Sequence, residues 1–93
     1  MALFAVTYRY EAAQTEEREA NKAAHREWLA AAVADGAIAT VGPFLDGSGA
    51  LLLVEADDAE AARSLVGRDP HCVRGFVSEI TVRGWMPVYG ALA

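Results

Sequence analysis

Two residues of this 93-residue sequence suit proton-transfer chemistry: His25, midway along an alanine-rich stretch, and Asp69, in the corner Arg68-Asp69-Pro70-His71. An imidazole with its ordinary pKa near ~6.5 exchanges protons at neutral pH. A carboxylate held against one ring nitrogen fixes the tautomer and makes the other nitrogen a better acid or base. Each residue also has a plainer use. A histidine on an apolar face can be a half-buried structural group with a hydrogen-bond partner. An aspartate before proline is a favoured helix N-cap, with the proline in the first helical position. Spacing alone does not join the two side chains.

The helix that carries the histidine supplies further detail. At 100° per residue, Trp28, Leu29, Ala32 and Val33 form an apolar arc with His25 near its centre. Toward the N-terminus the same stripe brings Asn21, Arg18 and, at its margin, Lys22. A helix that only packed would keep alanine or leucine there. The change from apolar to polar implies that the stripe leaves the core near residue 25 and enters a cavity, where Arg18 or Lys22 can hold an acidic group of a substrate.

Other candidates are weaker. Gly42-Pro43 begins a loop that also contains Asp46 and Ser48, and turn geometry accounts for these types as readily as substrate contact does. His71 and Cys72 adjoin Asp69, but no H-x-x-x-H or C-x-x-C spacing supports a metal site, and adjacent side chains point apart, which disfavours a Cys–His nucleophile. Cys72 is the sole cysteine, so no internal disulfide forms. No dinucleotide-binding, phosphate-loop or nucleophile-elbow motif occurs. Eight Lys+Arg against thirteen Asp+Glu give a net charge of −5, the wrong sign for nucleic acid or for an anionic membrane surface. The longest apolar run, Ala50 to Val54, is far too short to span a bilayer. A cytoplasmic protein without cofactor or metal is expected.

The elements that position these residues follow from periodicity. Residues 3–10 alternate with period two and carry three aromatic residues, which predicts a strand. Thr15 caps a helix of about twenty residues that ends at Gly36. Ile38–Val41, ended by Gly42-Pro43, and Ala50–Ala56 read as a hairpin around the turn cluster Asp46–Gly49. Asp57 caps a second helix with Glu60 in capping-box spacing, and Gly67 closes it. Gly75–Trp85 is the last strand.

The order β-α-β-β-α-β is the ferredoxin-like, α+β arrangement: a four-stranded antiparallel sheet with two helices on one face, here in a single domain spanning residues 1–93. Leu51 and Leu53 point away from Leu52 and Val54, so both sheet faces carry apolar residues. The face without helices is expected to pair with a second copy in a homodimer, assisted by the tail Trp85–Ala93; the alternative is a tail folded over its own sheet.

His25 within the first helix, Trp28-Leu29 after it, Gly36, Gly42-Pro43, Gly49 before an apolar strand, and Asp69-Pro70 together resemble the YCII-related family, over Leu3 to about Trp85. The resemblance implies a dimeric α+β barrel similar to muconolactone isomerases, and a His–Asp catalytic centre that falls on His25 and Asp69. Two positions depart from the family pattern. His71 stands where an aromatic residue is frequent, altering the pocket wall and adding a second group that can titrate. Lys22 stands where arginine is common, offering a point charge in place of a bidentate clamp.

The expected function is cofactor-independent acid–base catalysis on a small cyclic or aromatic compound, of isomerase or lyase (dehydrochlorinase) type. His25 and Asp69 would be catalytic, with Arg18, Lys22, Gly42, Pro43 and His71 around the substrate. The competing expectation is a non-catalytic dimeric ligand-binding or accessory module in which the His–Asp pair is structural. An accessible cavity beside the pair favours the first, and a sealed pair favours the second.

Overall fold

The computed structural model describes residues Met1–Ala93. Strand β1 (Ala2–Arg9) is followed by a short 3₁₀ turn and by helices α1 (Thr15–Ala20) and α2 (Lys22–Ala34). Strands β2 (Ile38–Pro43) and β3 (Gly49–Ala56) form a hairpin, then come α3 (Ala59–Val66), the single-turn α4 (Pro70–Val73) and β4 (Glu79–Trp85). The four strands make one sheet in the order β2-β3-β1-β4, with every neighbouring pair antiparallel. This is the expected ferredoxin-like α+β topology. No helix is long and apolar enough to cross a membrane.

Alternation decides the core. Phe4, Val6 and Tyr8 of β1 and Leu52, Val54 and Ala56 of β3 project to the helical face and are buried, joined by Ala32, Ile38, Ala62 and Val66. In register, Val6 lies opposite both Leu52 and Val82, so the centre of this face is continuous aliphatic packing. The opposite face carries Leu3, Ala5, Leu51 and Leu53 without a helix over them, although Leu53 is only 6% exposed. Leu51 is 37% exposed and Trp85, at the end of β4, 45%. Beyond it Met86, Val88 and Tyr89 are 81%, 66% and 94% exposed, so the tail does not fold back over its own sheet.

Several boundaries differ from expectation. The long first helix is interrupted at Asn21, whose φ of −95° and ψ of 2° leave the helical region. Val33 lies outside the buried arc, at 44% exposure, because the face toward the sheet is set by Trp28, Leu29 and Ala32. The cap of α3 is Asp58 rather than Asp57; its Oδ1 accepts the Ala61 backbone N–H at 2.7 Å. The second strand runs through Gly42 and Pro43, which a sheet edge tolerates because an edge residue has no outer ladder partner to lose. The last strand starts only at Glu79, while Phe76 is buried in the connection before it.

Gly49 is required by packing. A Cβ there would fall onto the backbone carbonyl of Tyr8, whereas one at Gly42 would meet open space. Gly49→Ala is therefore expected to lower the unfolding free energy by about 3 kcal/mol, measured by urea denaturation, with Gly42→Ala changing it little. Wild-type stability in Gly49→Ala would contradict the β1–β3 register.

Candidate active site

Asp69 caps α4 and meets the distant histidine at once, so its two readings coincide. Its Oδ1 accepts the His71 backbone N–H at 2.9 Å, with Pro70 in the first turn of the helix. The same oxygen lies 2.7 Å from His25 Nδ1 on α2, and Oδ2 accepts the Tyr8 hydroxyl of β1 at 2.9 Å. The corner expected to be polar is thus buried: Asp69 is 0% and His71 4% exposed. A buried carboxylate is tolerable when donors surround it, and here three converge. His25 Nδ1 is therefore the donor in its contact, which leaves Nε2 as the nitrogen able to take up a proton.

His25 opens onto a cavity of about 420 Å³, whose wall includes Tyr10, Arg18, Lys22, Gly42, Pro43 and His71. All five expected substrate-contacting residues, Arg18, Lys22, Gly42, Pro43 and His71, thus line one hollow with His25. Asp69 does not. It sits behind the imidazole, where it can orient the ring without touching a guest. The polar half of the helix stripe forms one wall, and β2 forms another. Leu29, Val41 and Ala50 supply the apolar part of the lining. Arg18, Lys22 and Arg26 place three cations around the hollow against one carboxylate, Glu19. Lys22 Nζ lies 3.4 Å from Glu19, and the Arg18 guanidinium stands 4.2 Å from the centre of the Tyr10 ring.

Four groups around the site, Tyr8, Tyr10, Cys72 and His71, are held in their neutral forms. Burial pushes the Tyr10 hydroxyl up to about 12, with the Asp69 charge adding to it. Burial and then Asp69 likewise raise Tyr8 above the usual phenol range, so it remains a donor to the carboxylate. Burial lifts the Cys72 thiol to about 11, which leaves it a poor nucleophile at neutral pH. His71 goes the other way: burial and then the neighbouring His25 lower it to about 4. It is not a second group titrating near neutrality.

Some of the site was not anticipated. Tyr8 faces the helical side of β1, where a buried hydroxyl demands a partner, and that demand was the available signal. Asn21 lay on the recognised stripe, but nothing in the sequence joined its amide to His71 Nδ1, 3.1 Å away. The parallel stacking of His25 on His71, with ring centres 3.8 Å apart, follows only from the fold.

The model of the YCII-related domain matches residues 2–86. The chain belongs to the YCII-related family. A solved structure of 5-chloro-2-hydroxyhydroquinone dehydrochlorinase (TftG) from Burkholderia phenoliruptrix AC1100, in complex with 2,5-dihydroxybenzoquinone, superposes with a TM-score of 0.78. It is 27% identical, over 90% of this chain and 93% of that one. Comparison with curated proteins finds no match.

For this YCII-related protein the neutral His71 has a consequence for stability. In the unfolded chain an imidazole regains its ordinary value near ~6.5 and binds the proton first. The stability His71 contributes is therefore complete above about pH 6.5 and is lost as the pH falls toward about 4. Urea midpoints taken across this window should fall less steeply for His71→Phe than for the wild type. Equal slopes would show that the fold does not hold His71 neutral.

Proposed function

We propose that this chain is a cofactor-independent acid–base enzyme of isomerase or lyase type, nearest in chemistry to a dehydrochlorinase, acting on a small cyclic or aromatic compound. The observation that carries this reading is the 2.7 Å contact of His25 Nδ1 with buried Asp69, on a ring that opens into the cavity. His25 Nε2 is the base and then the acid, and Asp69 orients the ring and stabilises its cationic form. Arg18 and Lys22 draw the substrate's acidic oxygen, while Gly42, Pro43 and His71 shape the walls. In a dehydrochlorination, a ring hydroxyl on the keto tautomer of the substrate gives its proton to Nε2. The O–H bond pair becomes the new carbonyl π bond, the adjacent ring C=C pair shifts to form a double bond to the carbon that bore chlorine, and the C–Cl pair leaves with chloride, so the net loss is HCl. The superposition on a dehydrochlorinase at 27% identity supports this class.

The working form in this reading is a cytoplasmic homodimer, paired through the sheet face that carries Leu3, Ala5, Leu51 and Leu53, with the apolar tail helping to cover a second copy. Light scattering at micromolar concentration is expected to give twice the protomer mass. A monomer would remove the sheet-face pairing from the proposal.

The catalytic reading is tested by chloride release from 5-chloro-2-hydroxyhydroquinone, followed with an ion-selective electrode. His25→Ala is expected to remain folded and to lose about 10²–10⁴-fold in rate. Undiminished release by that variant would remove His25 from the mechanism. Binding of 2,5-dihydroxybenzoquinone without turnover of this or related chlorinated hydroxyquinols would favour a ligand-binding module.

A further inference from the structure

The stacked ring beside His25 is itself held. His71 lies almost parallel to His25, with 7° between the planes and 3.8 Å between the centres, and presents its edges to Tyr10 and Phe76 at 6.0 Å each. The Asn21 amide nitrogen, 3.1 Å from His71 Nδ1, can only donate, so Nδ1 accepts and the ring proton of His71 sits on Nε2. The backbone N–H of His71 is bound by the same Asp69 oxygen that meets His25 Nδ1. One carboxylate oxygen therefore sets both the backbone under one ring and the edge of the other. The interruption at Asn21 between α1 and α2 belongs to this arrangement, since it places the amide where α2 begins.

We infer that Asn21 and His71 are positioning residues: Asn21 locks His71 in the Nε2–H tautomer, and His71 holds the plane of His25, the two imidazoles being stacked in opposite tautomers. The inference deepens the acid–base reading by naming what supports the base. Charged or titratable groups also face His71 from α1 (Arg18 and Glu19), α2 (His25), the corner before α4 (Asp69) and the residue that follows β1 (Tyr10). Burial and the proximity of His25 disfavour a charge on His71, and the result is a π face rather than a second cation against the ring that takes up the proton.

The chain has only two histidines, so their ring nitrogens can be assigned without ambiguity in a ¹⁵N-labelled sample. Two-dimensional ¹H–¹⁵N spectra at neutral pH are expected to show a bare Nδ1 for His71 and a protonated Nδ1 for His25. The carbon-bound ring protons of His25 should show the upfield displacement of a stacked ring. Asn21→Asp offers an acceptor in place of a donor and should move the His71 proton to Nδ1. Asn21→Ala should reduce the His25 ring-current displacement, and His71→Phe, which keeps a flat neutral ring, should retain it. Affinity for 2,5-dihydroxybenzoquinone should fall in Asn21→Ala by up to about 10²-fold.

A His71 ring protonated on Nδ1 in the wild type, or a His25 displacement unchanged in Asn21→Ala, would overturn the positioning role. His71→Leu adds a non-aromatic control, and the Asn21 variants decide the question even where it does not fold. Failure of the wild type to bind the quinone would count against the proposed function alone, since the tautomer and ring-current readouts stand without it.

Discussion

One buried carboxylate joins three separated stretches of this chain. Asp69 accepts the Tyr8 hydroxyl from the central strand β1, the His71 backbone N–H from its own short helix, and the His25 imidazole from α2. A carboxylate withdrawn from water is costly when unpartnered, so removing a donor leaves the remaining group worse off by more than one ordinary hydrogen bond. The helix, the sheet and the connection between α3 and β4 are thereby fixed relative to one another by the contact that orients the imidazole. Fold and site share one constraint.

Around that constraint the surroundings hold several groups in their neutral forms. Tyr8, Tyr10 and Cys72 are raised by burial, and His71 is lowered by it, so at neutral pH all four stay uncharged. His25 differs in place: one nitrogen meets a carboxylate and the ring faces the hollow. The cations Arg18, Lys22 and Arg26 line that hollow together with the apolar Leu29, Val41 and Ala50.

Much of this was legible from residue order. Alternation in β1 and β3 gave strands with two apolar faces, and the alanine-rich stretch ending at Gly36 gave a helix. A polar run on an apolar stripe pointed to a cavity next to His25, and that cavity gathers Arg18, Lys22, Gly42, Pro43 and His71. The reading fell short where a side chain answers to tertiary geometry. Asp57 and Asp58 are equal as caps in sequence, and only the approach of the chain from β3 selects the second. Asp69 serves both as helix cap and as partner of the imidazole, because a single carboxylate oxygen accepts from the His71 N–H and from His25 Nδ1. The break at Asn21 has no proline or glycine to announce it, and the stacking of His71 depends on two helices meeting from separate parts of the chain.

The proton between His25 and Asp69 tests this account most directly. Neutron diffraction from a deuterated crystal at neutral pH would locate it. Deuterium is expected on His25 Nδ1, with both Asp69 oxygens bare and accepting and His25 Nε2 directed into the hollow. Deuterium on the Asp69 carboxyl with a bare Nδ1, or a ring turned so that Nε2 meets Asp69, would contradict it.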